Sequence, residues 1–240
     1  MLYQLLKRVF SPPEQQHNDG EVNPLASWYS SHSGRFVSKW NHYFEIYHRH
    51  LARFRGKAPV VLEIGVCHGG SLDMWREYFG ADCRLFGVDI ATMCRIFEND
   101  YTKILIGDQA NRDFLARLRN EVPRIDVLID DGGHTMNQQI TTFEELYPHI
   151  ADDGVYLCED LHTSYWKEFG GGYHAHGSFM EYSKVLVDQL NSWHSKEPDR
   201  FQVSDFTRTT YSMHYYDSVL VIEKRPMKPS FAIEKGRFSF

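Results

Sequence analysis

Short apolar runs that end on a glycine or an acid, separated by stretches of helical periodicity, constrain this chain more than any other feature. The first, 59-PVVLEIG-65, is almost continuously apolar, as a strand buried on both faces of a parallel sheet must be. Four more follow: 84-RLFGVDI-90, 103-KILIGD-108, 125-IDVLIDD-131 and 154-GVYLCED-160. Between and after them, 70-GSLDMWREYF-79, 111-NRDFLARLRNEV-122, 137-NQQITTFEELYPHI-150 and 178-SFMEYSKVLVDQLNSWH-194 read as helices. Alternating strands and helices predict an α/β fold with a doubly wound, mostly parallel sheet and helices on both faces. The tail, 201-FQVSDFTRTTYSMHYYDSVLVIEK-224, alternates and turns near Tyr216-Asp217, which predicts a closing antiparallel hairpin. Ahead of the first strand, 11–34 reads as an irregular arm. Phe36, Trp40, Tyr43, Phe44 and Tyr47 then recur at helical spacing, predicting an amphipathic helix through about Arg53.

At 240 residues, with 42% apolar and 24% charged content, the chain suits one large domain or a domain with a small appendage. The formal net charge of -6 offers no footprint for nucleic acid or an anionic membrane. Cys67, Cys83, Cys94 and Cys158 form no C-x-x-C pair and read as reduced residues of a cytoplasmic protein. The start, MLYQLLKRVFSPPEQQ, is too short in its apolar part for a secretory signal, and no run reaches the roughly 18 apolar residues of a membrane span. Peripheral attachment through Leu2–Phe10 is the lesser alternative.

Ligands of such sheets sit beyond the carboxyl ends of the strands. The first strand ends in 63-EIGVCHGGS-71, whose Gly65, Gly69 and Gly70 let backbone approach a ligand closely. Cys67 takes the middle position of G-x-G-x-x-G, which argues against a dinucleotide, and no Walker-type loop is present. Asp89 closes the second strand, where a carboxylate can accept from both ribose hydroxyls. Asp108 closes the third, a position suited to an adenine amino group. Taken singly, an acid at a strand end is more often a turn residue; the ordered set is what points to a nucleoside-type ligand.

Strands four and five would lie roughly 4.8 Å apart as neighbours. Asp130-Asp131 and Glu159-Asp160 then share one rim, where close carboxylates repel unless protonated or bridged by a cation. Oxygen-only donors favour Mg²⁺, with Mn²⁺ or Ca²⁺ as alternatives. The competing reading is turn and helix-cap residues. His134, beyond Gly132-Gly133, is either a cap or a general base on the same rim. The long connection 162-HTSYWKEFGGGYHAHGS-178 carries Tyr165, Trp166 and Tyr173, a candidate lid or sugar-stacking wall. In the arm, His32, Arg35, Lys39 and His42 can approach a cofactor or a neighbouring subunit.

The ordered set Glu63-x-Gly65-x-x-x-Gly69 and Asp89 resembles the class I S-adenosylmethionine-dependent methyltransferases over residues 59–224. The combination DDGGH, EDLHTSYW and 169-FGGG-172 is more specific. It resembles the metal-dependent sugar O-methyltransferases of macrolide biosynthesis, and relatives in cephalosporin tailoring and glycan modification. The resemblance implies a Rossmann-like methyltransferase domain at 56–240 after an arm and helix at 1–55. It implies S-adenosylmethionine bound by Glu63, Gly65, Gly69, Ser71, Asp89, Asp108, Gln109 and Asp130. It also implies Mg²⁺ near or on Asp131, Glu159 and Asp160, with His134 as general base beside Asp131. The acceptor so implied is a hydroxyl of a sugar or glycosylated natural product, as in antibiotic biosynthesis; a homo-oligomer is compatible with it. Two alternatives remain: a tailoring enzyme for a non-sugar molecule, and a catalytically silent partner subunit that binds the cofactor. Gly133 stands where relatives often carry serine, which touches a minor hydrogen bond and not the chemistry. A short arm precedes the domain where the macrolide enzymes carry an additional one, so their assembly and macrolide specificity are not assumed.

Overall fold

The structure, a computed structural model, describes residues 23–237 and 239. In chain order it contains α1 (Pro24–Ser31), α2 (Tyr43–Leu51), β1 (Val60–Ile64), α3 (Gly70–Phe79), β2 (Arg84–Asp89), β3 (Thr102–Ile106) and α4 (Arg112–Glu121). Then come β4 (Ile125–Asp130), α5 (Met136–Leu146), β5 (Ile150–Cys158), α6 (Phe179–Leu190), α7 (Asp205–Thr209), β6 (Thr210–Tyr216) and β7 (Val219–Lys224). The strands form one sheet of order β3-β2-β1-β4-β5-β7-β6. β1 to β5 run parallel; β7 is antiparallel to both β5 and β6.

Alternation along the strands sorts side chains into two cores. Val61, Val127, Val155 and Val219 face α1, α2 and α3, where Trp75 and Tyr47 are fully buried. Leu62, Leu128, Tyr156 and Leu220 face α4, α5, α6 and α7. Each fully buried Val, Leu or Phe contributes about 1.5–3 kcal/mol, so both helical layers are held by the sheet rather than by helix propensity.

Three expectations change. The helix expected from Phe36 starts only at Tyr43; residues 36–42 are not helical, and Phe36 and Trp40 are 60% and 55% exposed. Their aromatic spacing reflects no buried face, because this stretch crosses the mouth of the cavity described below. The expected irregular arm contains α1 instead. Asn23 caps it by accepting from the Leu25 and Ala26 amides, Pro24 sits in its first turn, and Asn23 Nδ2 donates to the Phe44 carbonyl. In the tail, 205–209 is helical rather than extended, started by a Ser204–Thr207 capping box. Residues 1–22, including Leu2–Phe10, lie outside the described residues. No described helix is long and apolar enough to cross a membrane, and all four cysteines are free.

Candidate active site

The strand order reverses between β1 and β4, and a cavity of about 390 Å³ opens at their carboxyl ends. Gly65 ends β1 at φ +95°, and a Cβ there would stand 2.0 Å from the Asp131 carbonyl oxygen. Only glycine lets the two loops pass at this distance. The Asp131 amide donates to the Ile64 carbonyl, and the Glu159 amide to the Asp130 carbonyl. The ends of β1, β4 and β5 are therefore laced together.

Gln109, expected beside the cofactor, braces this rim. Its Nε2 donates to Asp130 Oδ1 (2.9 Å) and Thr142 Oγ1 (3.1 Å), and its Oε1 accepts from the Gly133 amide (2.8 Å). A Cβ on Gly132 would lie 1.9 Å from that Oε1, so glycine is required for the brace to fit. After the turn, Thr135 and Gln138 form a capping box that starts α5. Thr135→Ala is expected to lower stability by about 1 kcal/mol, read from chemical denaturation, because one α5 amide loses its acceptor.

His134 and Asp160 both adopt left-handed backbone, at φ +57° and +56°. Such conformations cost on the order of 1 kcal/mol or more for a non-glycine residue, and they gather at functional sites. Here they turn two side chains toward one another. His134 Nε2 lies 3.8 Å from Asp131 Oδ1 and 3.6 Å from Asp160 Oδ2. One donor atom from each of the three falls within 4.8 Å of the others. His134 Nδ1 is buried with no hydrogen-bond partner among the described residues.

Lys39 enters the same cluster from the segment before α2. Its side chain is 2% exposed, and Nζ donates to Asp131 Oδ2 (2.5 Å) and to both Glu159 oxygens (2.8 and 3.0 Å). Burial opposes its charge, but Asp131 and Glu159 outweigh burial and raise its pKa, so Lys39 stays an ammonium. Two helix α2 hydroxyls complete the shell: Tyr47 donates to Glu159 Oε1 (2.7 Å) and Tyr43 to Asp160 Oδ1 (2.8 Å). Burial and the Asp131 charge push the Glu159 carboxyl up to about 8. Three carboxyl groups thus face one fixed cation. That imbalance, with an all-oxygen donor set beside one imidazole, fits a hard divalent ion at Asp131 and Asp160, with Glu159 just behind and held by Lys39 and Tyr47.

Of the residues expected at the cofactor, Gly65, Ser71, Asp89, Asp108 and Gln109 line the cavity, as do Asp131 and His134. Asp89 Oδ2 accepts from the Val66 and Cys67 amides (3.0 and 2.9 Å), and Oδ1 from Ala91 (2.8 Å), which fixes the carboxylate across the glycine turn. Glu63, Gly69 and Asp130 stand behind the wall. Glu63 accepts from Ser71 Oγ (2.7 Å) and Trp75 Nε1 (2.9 Å), and burial pushes it up to about 7. Asp130, accepting from Gln109, is likewise pushed up to about 7 by burial. Gly69 packs its αL turn against Phe97 ahead of α3.

Outside the cavity, Trp40 and Trp166 flank His162 with ring centroids 6.0 and 4.7 Å away. Among the other arm residues, Arg35 pairs with Asp73, His32 bonds the Arg35 carbonyl, and His42 bonds the Asp217 carbonyl.

The fold is shared with solved structures. The MycE methyltransferase of the mycinamycin pathway, solved with Mg and SAH, superposes with a TM-score of 0.75 at 28% identity, over 85% of this chain and 54% of that one. A second structure of it, with Mg, SAH and mycinamycin VI, gives 0.72 at 29% identity, over 85% of this chain and 53% of that one. The chain has the class I methyltransferase fold. Among curated proteins, this methyltransferase-fold chain is 36% identical over 201 residues to the 8-demethyl-8-alpha-L-rhamnosyl tetracenomycin-C 2'-O-methyltransferase of Streptomyces olivaceus, covering 78% of this chain and 52% of that protein. It is 31% identical over 188 residues to the mycinamicin VI 2''-O-methyltransferase of Micromonospora griseorubida, covering 74% and 47%. The chain spans about half the length of the curated relatives it matches. No protein-family profile matches the sequence.

For this methyltransferase-fold chain, the residues that sequence reasoning undervalued are Lys39, Tyr43 and Tyr47. The two tyrosines read as core positions of an amphipathic helix, and their hydroxyls carry no periodic signal. Lys39 stood among several arm residues with nothing to single it out.

Proposed function

We propose that the chain is a Mg²⁺-dependent O-methyltransferase that moves the methyl of S-adenosylmethionine to a hydroxyl of a glycosylated small molecule. The observation that carries this reading is that Asp131 and His134, which cluster with Asp160, line the same cavity as Gly65, Asp89 and Asp108. Its relatives point the same way: the curated matches are named as O-methyltransferases, one of them for a rhamnosyl tetracenomycin, and the MycE structures hold Mg and SAH.

In this reading Asp89 receives the ribose hydroxyls, Asp108 lies near the adenine, and Gly65 and Ser71 flank the methionine part. Glu63, Gly69 and Asp130 stiffen the wall behind them. Asp131 and Asp160 would hold the cation, with Glu159 behind them on Lys39 and Tyr47. When bound, that ion acts as a Lewis acid that makes an acceptor hydroxyl easier to deprotonate. His134 Nε2 takes the hydroxyl proton as the oxygen bonds to the methyl carbon and the sulfur–carbon bond breaks. Asp131 and Asp160, 3.8 and 3.6 Å from that nitrogen, then stabilise the imidazolium. The aromatic pair Trp40 and Trp166 offers ring faces to a sugar outside the cavity. Free cysteines suit a reducing compartment, and we place the enzyme in the cytoplasm.

Calorimetry tests the cofactor half directly. S-adenosylmethionine should bind, and Asp89→Ala should weaken it about tenfold or more by removing a charged acceptor. No heat at millimolar ligand sinks the proposal.

A further inference from the structure

A second cluster of donors lies away from the cavity, where α2 crosses the hairpin. His50, His214 and Glu223 each place one ligand atom within 4.8 Å of the others. The pairing of β6 with β7 sets Ser212 opposite Glu223, His214 opposite Val221 and Tyr216 opposite Val219. Val219 and Val221 belong to the core under α2, so these polar side chains share that face, and His50 comes down onto them from the helix. The His50 and His214 rings lie 4.6 Å apart at 55°. His50 is 4% exposed, and His214 is half-buried.

From this geometry we infer a divalent transition-metal site, of the zinc type, formed by His50, His214 and Glu223. The convergence of three donor atoms within 4.8 Å carries the argument, and the hydroxyls beside the rings can support it. His50 uses Nδ1 toward Glu223 Oε1 (2.8 Å) and Nε2 toward the Tyr216 hydroxyl (2.8 Å). His214 uses Nε2 toward the Ser212 hydroxyl (2.9 Å). Each imidazole therefore has one nitrogen beside a hydroxyl that can accept its N–H. In the metal-free chain His50 Nδ1–H donates to the Glu223 carboxylate. With that proton displaced by a metal, Nε2–H of each ring would donate to its hydroxyl and leave Nδ1 as the ligand. Metal-bound histidines have this outer arrangement as a rule.

Sizes agree with the chemistry. Zinc–nitrogen and zinc–oxygen bonds near 2.0–2.2 Å separate tetrahedral ligands by about 3.4 Å. The His50–Glu223 contact must open slightly and the wider gaps must close, all within 4.8 Å. The Glu223 side chain is 23% exposed, which leaves a side for water as fourth ligand. Of the nearby cations, Arg49 pairs with Glu45 and Arg53 lies over the Phe54 ring. Two imidazoles favour a borderline ion over Mg²⁺, so excess Mg²⁺ leaves this site open to zinc. Bound there, the ion pins α2, which carries Tyr43 and Tyr47, to the hairpin.

The test uses the full chain, stripped with chelator and then held in excess Mg²⁺. Zinc titrated by calorimetry should bind at one equivalent that Mg²⁺ does not displace, and should raise the melting temperature. That equivalent should survive Asp131→Asn and weaken at least about tenfold in His214→Ala and in Glu223→Gln. Cobalt in place of zinc should give the visible bands of a four-coordinate ion, lost in the same two variants. His214 and Glu223 are partly exposed, so both variants can be checked for an unchanged fold by circular dichroism. The inference is overturned if no zinc binds in Mg²⁺, or if binding persists in both variants and disappears in Asp131→Asn. Neither result bears on the methyl-transfer reading, which rests on other residues.

Discussion

His134→Asn is expected to slow methyl transfer about 10²–10⁴-fold while leaving S-adenosylmethionine affinity within about twofold. Asparagine is chosen because it tolerates the left-handed backbone that position 134 adopts at φ +57°, so the loop geometry survives. What is lost is the imidazole nitrogen facing Asp131 and Asp160. The groups that line the glycine turn, Gly65 and Asp89, are untouched, which is why affinity for the cofactor should hold. Rates with an acceptor, beside calorimetric affinity, separate the outcomes. Equal loss of both would make His134 a structural residue. An unchanged rate would move the general base elsewhere, and a chain that never turns over but binds the cofactor would be a silent partner subunit.

Lys39→Met should be the most destabilising substitution in the site, by about 3–5 kcal/mol without metal. Methionine matches the length of the aliphatic stem, so packing is largely kept and the charge is what goes. Lys39 is 2% exposed and touches both Asp131 and Glu159, so its removal leaves two carboxyls close together with no fixed counter-charge. Tyr47 and Tyr43 can still donate to Glu159 and Asp160, but hydroxyl dipoles do not replace an ammonium. A divalent ion can. Mg²⁺ should therefore stabilise the variant more than it stabilises the parent chain. Urea unfolding with and without Mg²⁺ measures both effects. A loss below about 1 kcal/mol, or no extra response to Mg²⁺, would mean that Lys39 is not the counter-ion of the cluster.

The sheet was legible because its physics is repetitive: five apolar runs of the right length, each ending in a glycine or acid, permit few alternatives. The rim residues Asp131, His134, Glu159 and Asp160 were legible for a related reason, since adjacent strands must bring their ends together. Less was visible where a side chain acts by reach rather than by period. Lys39 gets to Asp131 across 92 positions of chain, and nothing local to it encodes that contact. Gln109 lines the cavity where a ligand contact was expected, and its amide also braces the rim through Asp130, Thr142 and Gly133, which nothing local in the sequence shows. The aromatic residues before α2 misled for the opposite reason. Phe36 and Trp40 have helical spacing from Tyr43 and Tyr47, yet they serve a surface, and periodicity does not distinguish a buried stripe from an exposed one.

The dependence of Glu159 and Asp160 on Lys39, Tyr47 and Tyr43 bears on modularity. Strands β4 and β5 supply the acids, but the groups that neutralise and orient them come from ahead of β1, and α2 shares its core with the sheet. A boundary drawn just before β1, where the strand–helix repeat begins, would keep every strand and every acid. It would also strip those acids of the cation and hydroxyls that make their proximity tolerable. The smallest transplantable unit of this chemistry therefore begins no later than Asn23, whose side chain ties α1 to α2.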